Sequence, residues 1–136
     1  MGMDVIEKDK LSLEYEQETV ENLTDLFMAL QKKYGQPVGV GGKRAAFGNS
    51  RTVFKIPINP QGFHDNAWEY RNYKNRTAKS FPMARCRIID IKDIPILVME
   101  HIAPIPYDES PKWADWVDCR QVGKNRKGKI VAFDYA

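Results

Sequence analysis

Between Glu16 and Tyr34, apolar residues stand at Val20, Leu23, Phe27, Leu30 and Tyr34. Steps of three and four place them on one face of an α-helix, which Gly35 and Pro37 terminate. Its acids crowd the first half and Lys32-Lys33 the last turn, as the helix dipole favours, and its expected task is to cover a sheet. Beyond it the pattern changes to short extended runs at Val38 to Val40, Arg44 to Phe47 and Arg51 to Ile56. The last two flank Gly48-Asn49-Ser50 and read as a hairpin, ended by Pro57 and the segment 59–62. Phe63 to Ala78 contains neither Pro nor Gly and predicts a second helix, with Asn66, Glu69, Tyr70 and Tyr73 on one side. Arg85 to Ile91 and Ile94 to Met99 predict two more strands, turning at Lys92-Asp93. The following thirty or so residues read mainly as loop, with one or two helical turns in Ser110 to Trp116. A last hairpin turns at Arg126-Lys127-Gly128. The predicted class is α+β: a five-stranded, mostly antiparallel sheet with one packed helix, an extra N-terminal helix and a C-terminal β-hairpin.

Composition narrows the class without naming a function. The 136 residues suit one domain, and 43% hydrophobic with 29% charged residues is the balance of a chain that folds around a core. No apolar run approaches the roughly 20 residues of a membrane-spanning helix, and Met1 to Lys10 lack the apolar centre of a signal peptide, so the expected location is the cytoplasm and no membrane partner is expected. Cys86 and Cys119 match no metal-ligand spacing and read as reduced structural thiols; with only His64 and His101 beside them, a zinc site is not expected. Residues 1–35 carry eight acids and four bases, whereas residues 36–136 carry seventeen bases and ten acids. The basic remainder is compatible with a phosphate-bearing ligand, and the cluster Lys124, Arg126, Lys127 and Lys129 with a solvated hairpin tip or an acidic partner.

The most informative residue is Lys55, inside the apolar run Val53-Phe54-Lys55-Ile56. A buried lysine costs several kcal/mol unless a negative group meets it, so either this strand has a wet face along which the side chain reaches water or Lys55 has a partner. The following helix carries an acid, Glu69, fourteen positions on. Upstream, Gly39-Val40-Gly41-Gly42 is either an ordinary hairpin turn or a loop whose backbone N–H groups close over phosphate oxygens.

Glycine turn, strand pair, strand lysine and helix glutamate, in that order, resemble the amino-terminal lobe of the protein-kinase-like fold, and more loosely the short kinase-like proteins of phage and bacterial genomes. The resemblance runs from about Val38 to the end of the chain. It implies a single kinase-like domain over 1–136, with 1–37 an N-terminal helical extension, 38–103 the lobe itself and 104–136 a truncated remnant of the second lobe. By the same resemblance Gly39, Gly41 and Gly42 form the glycine-rich loop, and Lys55, paired with Glu69, holds the α- and β-phosphates of ATP. Leu97 to Ile102 is similar to the hinge, with Met99 as gatekeeper and the backbone of Glu100 and Ile102 against an adenine. Ile130 to Ala136 resembles the strand and turn that carry a magnesium ligand, here Asp134.

The departures bear on activity. Gly39 to Phe47 does not reproduce GxGxxG, and only about thirty residues separate the hinge-like segment from Asp134, too few for the helices and catalytic loop of a kinase. The nearest remnant of that loop is Val117 to Gly123, where Asp118 would be the catalytic base and Gln121 a magnesium ligand, at a spacing two residues short. Asp115 is a second candidate base. Trp113 and Trp116 read as a docking surface or as a lid over the shortened region. Three readings follow. The first is a pseudokinase-like regulator that binds a protein partner, with or without a nucleotide, of the kind a phage could use to modulate a host protein. The second is a minimal phosphotransferase using ATP and Mg²⁺. The third is a basic nucleic-acid-binding protein, for which no recognised motif is present.

Overall fold

A computed structural model describes residues 17–76, 81–117 and 121–134. Helix α1, Gln17–Tyr34, buries Val20, Leu23 and Phe27, the stripe that the three-and-four spacing predicts. Five strands follow: β1 (Gly39–Val40), β2 (Arg44–Gly48), β3 (Thr52–Pro57), and, after helix α2 (Pro60–Lys74), β4 (Cys86–Ile91) and β5 (Ile94–Glu100). They pair antiparallel throughout in the order β1-β2-β3-β5-β4, which is the α+β sheet expected from the pattern.

Strand parity divides the core in two. Ala45, Phe47, Ile56, Ile94 and Ile96 point to one face, where α1 covers them and Phe27 meets Phe47 edge to face at 4.9 Å between ring centroids. Lys55, Leu97 and Met99 point to the other, beside Tyr70 and Tyr73 of α2. The N-terminal helix thus shields the back of the sheet, and the chemistry-bearing residues share the front with α2.

Helix α2 starts three residues before the expected Phe63, because Asn59 caps it: the Asn59 side chain accepts a hydrogen bond from the Gly62 amide at 2.9 Å, and Pro60 suits the first turn. It ends at Lys74 with Asn75 as cap, short of the expected Ala78, which lies outside the described residues. The other end of Asn59 donates from Nδ2 to the Gly42 carbonyl at 2.8 Å. Gly62 itself has a structural duty, since a Cβ there would lie 2.1 Å from the Lys43 carbonyl oxygen. The glycine turn is therefore strapped to the start of α2.

The segment after β5 holds one strand that the pattern does not announce. Strand β6, Ala103–Pro104, joins β7 (Val122–Lys124) and β8 (Ile130–Ala132) in a second, three-stranded sheet, so the expected hairpin acquires a third strand. Two residues with one proline are too few to show a period of two. Gly123 lets β6 approach, since a Cβ there would sit 2.3 Å from the Ala103 carbonyl oxygen. Short 3₁₀ turns at Tyr107–Glu109 and Lys112–Trp116 bridge β6 to β7, the second falling where helical turns are expected. Residues 82–84 clip the second sheet to the first: the Ala132 carbonyl accepts from the Ala84 amide at 2.7 Å, and the Ala132 amide donates to the Pro82 carbonyl at 2.9 Å. That clip carries Phe133 and Asp134 beneath β3. Among the described residues no helix is long and apolar enough to cross a membrane.

Candidate functional site

The hairpin register puts Ala46 opposite Lys55, and Lys55 opposite Leu97. Because strand side chains alternate, Arg44 shares the face of Ala46 and Lys55, and all three look into a cleft of about 780 Å³ between the glycine turn and the second sheet. Val53 and Met99 supply apolar wall, residues 100–102 run along the back, and Gln121, Phe133 and Asp134 form the floor. A volume of several hundred Å³ is that of an ordinary small-ligand site.

Lys55 has the partner its setting demands. Its ammonium donates to both oxygens of Glu69, at 3.1 and 3.4 Å, and to the Phe133 carbonyl at 2.7 Å. Glu69 is fully buried and Lys55 only 9% exposed, so the pair stands out of water. Arg44 is a second counter-ion: its guanidinium lies 2.5 Å from Glu69 Oε1 and 3.3 Å from Asp134 Oδ1, and donates to Asn66 Oδ1 at 3.2 Å. Asn66, fully buried one helical turn before Glu69, donates to the Lys55 carbonyl at 3.0 Å and the Pro95 carbonyl at 2.8 Å. Two cations and two carboxylates form one hydrogen-bonded network of zero net charge.

Burial pushes the Lys55 ammonium below its usual range; Glu69 opposes that shift and the neighbouring charge of Arg44 adds to it. Burial likewise pushes the Glu69 carboxyl up, while Lys55 and Arg44 hold it down. Within the network both cations oppose the effect on Glu69 of the water it has lost.

The predicted site residues gather in part. Gly39, Gly41, Gly42, Lys55, Glu100, Ile102, Gln121 and Asp134 all line the cleft, and Glu69 reaches it through Lys55. The glycines of the turn have no steric or dihedral need to be glycine: a Cβ on Gly39 or Gly42 would meet nothing within 4 Å, one on Gly41 only the Arg44 carbonyl at 3.9 Å, and none has a positive φ. What a bare backbone offers at such a place is close approach by a ligand. Glu100 contributes main chain, since its carboxylate accepts from the Arg85 amide at 2.6 Å. Asp118 and Cys119 lie outside the described residues. Asp115 is exposed on its 3₁₀ turn and does not line the cleft, so its placement gives it no access to a ligand there. Trp113 is not the exposed docking residue it could have been; it stacks on Phe81 at 6.0 Å between centroids and packs on the core, while Trp116 stays 66% exposed. Cys86 is buried and in no disulfide among the described residues.

Arg44 and Asn66 are the residues that sequence reasoning missed. Parity within the Arg44–Ile56 hairpin was the available signal for Arg44, and the three-residue step to Glu69 the signal for Asn66. Measured against a divalent cation, the donor set fits poorly. The ion would have to share Asp134 with a guanidinium, and unit charges 4 Å apart repel by about 4 kcal/mol at an effective dielectric constant near 20. Among the described residues there is no group of three or more His, Cys, Asp or Glu side chains placed to hold a metal. No family model matches the chain, and no curated protein matches it.

Proposed function

We propose that the protein is a kinase-like, nucleotide-binding regulator whose cleft takes a phosphorylated ligand such as ATP and whose outer surface engages a protein partner, in place of phosphotransfer. The observation that carries the reading is the buried Lys55–Glu69 pair, whose lysine lines a ligand-sized cleft together with a glycine turn. In protein kinases a lysine on the third strand pairs with a glutamate of the next helix to place phosphates, and here the lysine is on β3 and the glutamate on α2. The regulatory half is supported by what surrounds the pair. Asp134 is committed to Arg44, Asp115 stands away from the cleft, and Tyr107 and Trp116 present exposed aromatic surface at 73% and 66% on the connecting segment.

Thermal unfolding with ATP tests the nucleotide. A ligand at a hundred times its Kd stabilises the folded state by about 2.7 kcal/mol, roughly a 10 °C rise in Tm for a chain of this size. Lys55→Met should abolish the rise. Absence of any shift in the wild type with ATP, ADP or GTP removes the nucleotide from the proposal.

A further inference from the structure

We infer that Arg44 takes the place of a divalent cation in this cleft, so that phosphate groups are held by Lys55 and the Arg44 guanidinium without a metal ion. The second half rests on the nucleotide reading above; the first stands on geometry alone.

Glu69 and Asp134 come from different elements, α2 and the end of the second sheet; Asp134 lines the cleft, Glu69 is fully buried against Lys55, and both meet Arg44. Two carboxylates approaching one point repel unless a cation sits between them. Here the cation is covalently part of the chain. Arg44 Nη2 spans Glu69 Oε1 and Asp134 Oδ1, and Nη1 is oriented by Asn66 Oδ1. Asn66 is in turn held by two backbone carbonyls, so the guanidinium plane is set by a buried, fully bonded residue rather than by chance. The arginine side chain is only 12% exposed, which marks it as built into the site, not draped across it.

The chemistry of such an arrangement differs from that of a metal in two ways. A guanidinium presents planar, directional N–H donors, of which Nη2 is committed here to the two carboxylates, and it is always charged. It cannot draw phosphate oxygens into an inner coordination shell or be exchanged with solvent ions. Ligand binding should therefore be indifferent to chelators, and the site should discriminate against free Mg²⁺ and Mn²⁺ through like charge.

Mn²⁺ alone and ATP, in separate arms, provide the test. In the first arm free Mn²⁺ is titrated by electron paramagnetic resonance against wild type, Asp134→Asn, Arg44→Gln and the double variant. Wild type and Asp134→Asn should bind Mn²⁺ equally poorly. Arg44→Gln should gain a site that the added Asp134→Asn removes. Binding by the wild type that is lost in Asp134→Asn overturns the inference, and so does an Arg44→Gln protein that gains nothing. In the second arm ATP affinity is measured by calorimetry in EDTA and in excess Mg²⁺. The wild type should change by less than about twofold, whereas Arg44→Gln should require Mg²⁺ by about tenfold or more. A wild type that needs Mg²⁺ overturns the inference. If the wild type binds no ATP in either buffer, the nucleotide reading fails and the manganese arm still decides the role of Arg44. Far-UV circular dichroism checks folding of the variants; should Arg44→Gln unfold, the equally uncharged Arg44→Met replaces it, and the wild-type arms need no Arg44 variant.

Discussion

Replacing Lys55 by methionine should cost little stability, although Lys55 is half of a buried ion pair. Removing one partner of such a pair ordinarily costs about 3–5 kcal/mol, because the other charge is left alone in a poorly solvated site. Glu69 is not left alone here, since Arg44 remains at its Oε1. Methionine fills the space of the lysine stem, the Phe133 carbonyl loses one donor at a cost of about 1 kcal/mol, and the burial of an ammonium is relieved. The expected net change at pH 7 is within about 1.5 kcal/mol of wild type, less than half the cost of an orphaned carboxylate.

Lys55→Met combined with Arg44→Met does orphan Glu69, which then folds only by taking a proton. From an unfolded value of 4.5, that costs about 3.4 kcal/mol at pH 7 at 1.36 kcal/mol per pH unit. The sign follows from the raised folded pKa: stability is fully present below the unfolded value of 4.5 and is lost as the pH rises above it. Lowering the pH from 7 to 5 should therefore return about 2.7 kcal/mol to the double variant. Urea unfolding followed by the fluorescence of Trp68, Trp113 and Trp116 reads these differences; at an m-value near 2 kcal/mol/M the double variant should lose about 1.7 M in its midpoint at pH 7. A single Lys55→Met variant as unstable as the double, or a double-variant penalty independent of pH, would falsify the idea that Arg44 is a second counter-ion.

Four further outcomes are expected. Because the folded pKa of Lys55 lies below 10.5, wild-type stability should gain a rising component as the pH climbs from that folded value towards 10.5, and urea midpoints of Lys55→Met should lack it. Asn59→Ala removes the cap of α2 and the strap to Gly42, and should cost about 1–2 kcal/mol in urea; a loss under a few tenths would mean the strap is not made in solution. Gly62→Ala should destabilise strongly while Gly42→Ala leaves Tm nearly unchanged and weakens ATP binding, because only the former places a Cβ against backbone; equal melting temperatures for the two variants would contradict this packing. Asn66→Ala takes a donor from two buried carbonyls and an acceptor from Arg44, for an expected loss of about 2–3 kcal/mol, and calorimetric unfolding that shows less than 1 kcal/mol would remove Asn66 from the network.

Local rules carried most of the architecture. The α1 stripe, the Gly48-Asn49-Ser50 turn, the Lys92-Asp93 turn with both residues at positive φ, and the five strands are short-range consequences of side-chain period and turn chemistry. So is the demand that Lys55 find an anion, since burying an ammonium in an apolar run is costly wherever the strand goes. The identity of that anion was legible only through the kinase resemblance, in which a glutamate of the following helix pairs with the strand lysine.

Three-dimensional packing settled the rest. Strand β6 is too short to have a period, and it exists because β7 offers a ladder and Gly123 offers room. Asp134 reaches Arg44 across ninety positions only because residues 82–84 clip β8 under the sheet. The charge of Arg44 looked like that of any strand-edge arginine until pairing register and the position of Asn66 aimed it between two carboxylates. Period and propensity act over a few residues and so are written in the chain, whereas a charge network is decided by which distant elements meet, and electrostatic energy depends on that distance rather than on separation in sequence.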